Sequence, residues 1–189
     1  MKPRAILWRR LDGPGHDAAC LEHGNPNWHL SGTVVLEDQG RPCRLEYAVV
    51  CDSAWQTLWA RVSGWIGMTP VSHRISRSPA GQWRMDGVEQ PSVQGCIDVD
   101  LSFTPATNLL PIRRLGLAVG EAATIQAAWL RFPEFTLTPL DQNYRRESAE
   151  RYRFESDGGS FTAMLDTDDS GLVVRYGDLW VAEVVQREQ

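Results

Sequence analysis

Apolar and polar residues alternate with period two through much of this 189-residue chain, and that limits its folding more than any other property. A strand turns successive side chains to opposite faces, so such a run folds as a half-buried strand. Ile97, Val99, Leu101 and Phe103 fall on one face, with Asp98, Asp100 and Ser102 on the other. Leu45, Tyr47 and Val49 repeat the pattern, as do Tyr152 with Phe154, and Phe161 with Ala163 and Leu165. Short β-branched runs at 32–37, 71–76, 134–138, 171–176 and 179–185 also read as strands. Turn residues separate them at Asp38-Gln39-Gly40, Ser78-Pro79-Ala80-Gly81, Asp157-Gly158-Gly159 and Asp168-Asp169-Ser170-Gly171. Only 120–130 fits a helix as well as a strand. The expected fold is all-β, a large curved antiparallel sheet or an incomplete β-barrel with little helix.

The spacing of these runs predicts a single domain over 1–189 with an internal duplication, about 5–90 and 109–185. Arg9-Arg10-Leu11 is followed 23 residues on by a β-branched run, and Arg113-Arg114-Leu115 by another 22 residues on. Arginine-led runs with inward-reading aromatics come next, at 44–50 and 151–156. Two such halves would form one curved sheet around a cavity.

Several function classes fall away. A net charge of -5 and a pI near 5.4 argue against a nucleic-acid partner, which would meet a basic face. The basic start lacks the apolar run of a signal peptide, and no stretch approaches the ~20 apolar residues of a transmembrane helix. A cytoplasmic protein is the expectation. Cys20, Cys43, Cys51 and Cys96 contain no C-x-x-C pair, and His16, His23, His29 and His73 show no metal-ligand spacing. No metal and no cofactor are expected. A nucleophile elbow and a phosphate-cradling loop are both missing. Nothing in the residues sets an oligomeric state.

The stretch 95–115, GCIDVDLSFTPATNLLPIRRL, concentrates the candidate chemistry. On a strand, Asp98 and Asp100 share a face with their carboxylates roughly 6–7 Å apart. That arrangement suits sugar hydroxyls, acid–base work, or a face paired with arginine. Arg113 and Arg114, read as strand residues, point to opposite sides, so one of them pairs with Asp98 or Asp100. An arginine lining an apolar cavity would instead hold an anionic group bidentately. Thr104, Thr107 and Asn108 flank Pro105 and either bond their own backbone as a turn or contact a ligand. Gln142 and Tyr144 share a face, offering an amide and a phenol. Core filling explains most of the eight tryptophans, and the surplus of large aromatics also suits a pocket wall.

The same stretch, with Gln142-x-Tyr144 and the later SGLVVRYGDLW at 170–180, resembles a family of bacterial proteins of about this length. That family was long catalogued as a domain of unknown function and is now labelled glycolipid-binding. The resemblance runs from Trp8 to about Val181. It implies an all-β fold like bacterial lipoprotein and lipid carriers, with a curved sheet around an apolar cavity, and does not imply any enzymatic activity. Ala106 departs from it, standing where the family more often has an aromatic. If that aromatic lines the pocket, the pocket here would be roomier. Asn143 also departs, where a basic residue is common.

Taken together, these readings predict non-catalytic binding of an amphipathic small molecule or glycolipid, its tail in an apolar cavity. The ligand-binding set would be Asp98, Asp100, Thr104, Thr107, Asn108, Arg113, Arg114, Gln142 and Tyr144. One alternative is a small enzyme acting on a sugar or lipid headgroup through Asp98 and Asp100. The other is a protein–protein module whose polar cluster locks the two halves together.

Overall fold

A computed structural model of the chain describes residues 3–187; the outermost residues of the expected 1–189 unit lie outside the described residues. Among the described residues, fifteen strands form one sheet. The first eight are β1 (Arg4–Arg10), β2 (Gly15–Gly24), β3 (Asn27–Asp38), β4 (Arg41–Cys51), β5 (Thr57–Ile66), β6 (Thr69–Arg77), β7 (Trp83–Met85) and β8 (Val88–Glu89). Next come β9 (Val99–Leu101), the helix α1 (Leu109–Leu115), β10 (Ala122–Arg131) and β11 (Thr136–Ser148). The chain closes with β12 (Arg151–Ser156), β13 (Phe161–Thr167), β14 (Val173–Tyr176) and β15 (Trp180–Arg187). The order is β8-β7-β6-β5-β4-β3-β2-β1-β15-β14-β13-β12-β11-β10-β9, so first and last strands pair at its middle. Every pairing is antiparallel except β9 with β10. The all-β expectation holds as an open curved sheet; β8 and β9, at its two ends, do not pair with each other.

Alternation explains the core. Along β4, Cys43, Leu45, Tyr47 and Val49 are buried while Arg44 and Glu46 are exposed. The segment 120–130, ambiguous in the sequence, lies mostly in β10. Trp8 is fully buried in β1, and its indole N–H donates to the Val173 carbonyl at 2.6 Å. No described helix is long and apolar enough to cross a membrane.

Two expectations about 95–115 are corrected. The run from Ile97 to Phe103 is not a strand throughout: only Val99–Leu101 pair, at the end of the sheet, parallel to Ala128–Leu130. The segment entering β9 bonds to the start of β5 rather than joining a hairpin. Ile97 O accepts from the Thr57 N–H at 3.2 Å, and Val99 N–H donates to Thr57 Oγ1 at 3.1 Å. The arginine pair does not open a second strand. A single 3₁₀ turn over Ala106–Asn108 leads into α1, which ends at Gly116 in the left-handed conformation, φ 55°. Pro111 is tolerated in the first turn, where backbone N–H groups have no intrahelical acceptor. Leu109, Leu110 and Ile112 bury the helix.

Strands β9–β11 form a wall with two working faces. Directly paired residues share a face, so Leu130 and Leu137 lie together, and Trp129 and Thr138 lie opposite them. Val99, Leu101, Leu130 and Leu137 belong to the main core against β1–β7. Tyr144, on the other face, packs with Tyr152, Phe154, Leu165 and Val173 in a second cluster.

Candidate ligand-binding site

The second face of that wall carries a polar chain that leads to a cavity. It begins with the ion pair between Asp98 and Arg114. The Arg114 Nε lies 3.0 Å from Asp98 Oδ1, and Nη2 lies 2.6 Å from Oδ2. Asp98 is 1% exposed. Burial pushes its carboxyl upward, and the Arg114 guanidinium pulls it back. A helix separates successive side chains by about 100°, not 180°. Arg114 therefore reaches Asp98, while the Arg113 guanidinium lies 5.4 Å over the ring of Trp55. Trp55 stacks in turn on Trp28 at 4.5 Å. Arg113 lines a separate cavity of about 310 Å³ beside Tyr152 and Asp168.

Asp100 follows on the same side as Asp98, two residues along. Its Oδ2 accepts from Gln142 Nε2 at 2.6 Å. Tyr144 Oη lies 3.3 Å from Gln142 Oε1 and 3.0 Å from Asn108 Oδ1, so one phenolic proton serves two acceptors. Among the described residues, no cation stands within ion-pair distance of Asp100. Burial raises its carboxyl to about 6; the Gln142 amide opposes this, and the Asp98 charge adds to it. Burial, then Asp100, push the Tyr144 phenol well above its ordinary value, so it acts as a donor.

Thr104, Thr107 and Asn108 are buried. Thr107 Oγ1 accepts from the Leu101 N–H at 3.2 Å, and Asn108 Nδ2 donates to the Pro105 carbonyl at 3.2 Å. Thr104 joins a cluster that sequence reasoning missed. Its hydroxyl donates to Asp17 Oδ2 at 2.5 Å, and Tyr47 Oη lies 3.0 Å from the same oxygen. Asp17 is fully buried, and burial raises its carboxyl to about 7 against the two hydroxyl hydrogen bonds. Alternation was the available signal, since it puts Asp17 on the buried side with Ala19 and Leu21.

Gly32 makes room for this cluster. A Cβ there would stand 2.5 Å from Tyr47 Cζ and 2.8 Å from the Ala18 carbonyl. Gly→Ala within a strand ordinarily stabilises. Here Gly32→Ala is expected to cost about 1–3 kcal/mol, as overpacking does. Urea unfolding checks the sign, and a stabilised variant would contradict the packing.

A cavity of about 650 Å³ opens where Asp100, Thr104 and Asn108 meet β10–β15. Trp129, Leu140, Phe154, Phe161, Tyr176 and Trp180 form its apolar and aromatic walls. Arg131 and Asp157, both exposed, also line it. The nine expected site residues thus separate. Asp100, Thr104 and Asn108 line the cavity, whereas Asp98, Thr107, Arg114, Gln142 and Tyr144 stand behind them and Arg113 lies elsewhere. Ala106 is buried in the main core and takes no part in the cavity wall, so it does not enlarge it. A second hollow of about 650 Å³ is a shallow trough over β15 and β1–β4, lined by Ala5, Leu7, Ala18, Cys20 and Val184.

Among solved structures, a DUF1089 family protein from Pseudomonas aeruginosa superposes with a TM-score of 0.77 at 31% identity. The match covers 86% of this chain and 88% of that one. A β-barrel-like protein of DUF1849 from Brucella abortus matches over 97% of both chains with a TM-score of 0.56. At 8% identity it shares the fold alone. No curated protein matches the chain. One family profile, described as "Putative glycolipid-binding", matches residues 5–182. That match runs from β1 into β15 and takes in every wall of the cavity; this chain belongs to the family so described.

Proposed function

We propose that the protein binds an amphipathic ligand of the glycolipid kind in the cavity between β9–β11 and β12–β15. The observation that carries this is the division of the cavity wall. Aromatic and aliphatic side chains make up half of its lining, and polar or charged residues, Asp100, Thr104 and Asn108 among them, make up the other half. A volume of about 650 Å³ falls within the range of small-molecule sites. Burial of the tail supplies affinity at about 25 cal/mol per Å², and the polar group sets orientation. Gln142, Tyr144 and the Asp98–Arg114 pair hold Asp100 and Asn108 in place.

The acid–base alternative loses its geometry. Asp98 is committed to Arg114 and does not line the cavity, so the two carboxylates do not face one substrate. Native mass spectrometry after gentle purification, with thermal melts in added octyl β-glucoside, tests the binding reading. At a ligand concentration near 100 times Kd, stabilisation of about 2.7 kcal/mol raises Tm by roughly 5–10 °C. No retained lipid together with no rise in Tm would count decisively against it. Leu140→Trp fills the cavity from β11 and is expected to abolish the rise while the variant still melts cooperatively. An unchanged rise would move the site elsewhere.

A further inference from the structure

The cavity's polar end holds the Asp100 carboxylate, which forms no ion pair among the described residues. We propose that Asp100 is a charge filter, admitting uncharged hydroxylated headgroups and turning away phosphate, sulfonate and carboxylate headgroups. This rests on the cavity being the ligand site.

Both arginines that could have held an anion are unavailable. Arg114 makes three contacts of 3.2 Å or less with Asp98. Arg113 stands over Trp55 and lines a different cavity. Arg131 does reach the wall, but it is exposed, stacked 5.1 Å over Trp129, and shares the rim with the exposed Asp157. Arg131 and Asp157 give the rim one charge of each sign, and Asp100 is the charged side chain inside. The hydroxyls of Thr138, Ser156 and Tyr176 also line the wall, but they are neutral donors and carry no charge to balance an anion; the two hydroxyls nearest Asp100 in the chain are already committed. Thr104 gives its proton to Asp17, and the Ser102 hydroxyl donates to the Leu130 carbonyl at 2.9 Å. A sugar hydroxyl brings the donor that a carboxylate needs, whereas a sulfonate brings only acceptors and a like charge.

The groups facing Asp100 are few. They are Gln142 and Tyr144 from β11, Tyr176 from β14, and Asp98, whose charge Arg114 balances from α1. Burial raises the Asp100 carboxyl to about 6, so the filter is charged at pH 8 and largely neutral at pH 5.

Isothermal titration of the full chain with octyl β-glucoside and with octanesulfonate, both below their micellar concentrations, tests the filter. Octanesulfonate keeps its charge throughout this pH range. At pH 8 the wild type should bind the glucoside at least tenfold more tightly than the sulfonate. That ratio should shrink at least fivefold in Asp100→Asn, through tighter sulfonate binding, and shrink likewise for the wild type at pH 5. The pH arm needs no variant, so it stands if Asp100→Asn misfolds. Sulfonate binding equal to or tighter than glucoside in the wild type at pH 8 overturns the filter but leaves the cavity as a ligand site. A ratio that neither pH 5 nor a folded Asp100→Asn alters does the same. If neither amphiphile binds the wild type, the cavity reading itself falls and the filter with it.

Discussion

Replacing Arg114 with alanine is expected to lower the unfolding free energy by about 3–5 kcal/mol, the usual cost of stranding a buried charge. Asp98 is 1% exposed, and no other described cation pairs with it. Truncating Arg114 leaves that carboxylate to protonate or to remain unpaired in the interior, and either outcome is costly. The loss extends beyond the pair, because Arg114 fastens α1 to the connection entering β9. Replacing both partners, Asp98→Leu with Arg114→Met, should recover much of the stability, since apolar substitutes strand no charge. Urea unfolding at pH 7 measures both variants. A loss below about 1 kcal/mol for Arg114→Ala, the size seen for exposed pairs, would show that the bridge is not a structural anchor.

The second large effect is on pH dependence. Asp17 has a folded pKa of about 7, against about 3.9 for an unfolded aspartate. Between these values the native state keeps a proton that the unfolded chain has released. Its stability contribution is therefore fully present below about pH 4 and falls as pH rises toward 7 and beyond. The three-unit difference corresponds to about 4 kcal/mol when the loss is complete. Asp100, raised to about 6, acts in the same direction over a narrower window. Asp17→Asn remains neutral throughout, and its amide oxygen still accepts from Thr104 or Tyr47. It is expected to exceed the wild type by about 2–4 kcal/mol at pH 8 and to approach it near pH 4.5. Urea titrations across that range give the comparison. An Asp17→Asn protein less stable than the wild type at pH 8 would show that the charged carboxylate is well solvated by its two hydroxyl partners.

Much of the fold was legible because a strand's period of two is a local property. Leu45, Tyr47 and Val49 declared their burial without reference to any partner, and Asp157-Gly158-Gly159 and Asp168-Asp169-Ser170-Gly171 fell in turns between strands. The helix α1 was hidden by its brevity. Seven residues carrying an internal proline do not display a helical stripe, and only Leu109 with Ile112, and Gly116 as a stop, hinted at it. Reading the segment as a strand also misplaced Arg113 and Arg114, since a helix sends both inward along different directions. The run around Asp98 and Asp100 alternated as a central strand would, yet it pairs on one side only. Which strand neighbours another is a long-range matter that alternation does not encode.

The site was legible in part for the same reason. Asp98 and Asp100 do share a side, and Asp98 does find an arginine. The cavity's aromatic walls come from Trp129, Phe154, Tyr176 and Trp180 on four different strands, and only the sheet order brings them together. Asp17 and Thr104 lie 87 positions apart in the chain, beyond the reach of any local pattern.

A crystal structure of the protein saturated with octyl β-glucoside tests the central claim most directly. The predicted result is density for the alkyl chain against Phe154, Phe161 and Trp180, with a sugar hydroxyl within hydrogen-bond distance of Asp100. Density confined to the trough over Ala5, Ala18 and Val184, or an empty cavity at saturating ligand, would contradict it.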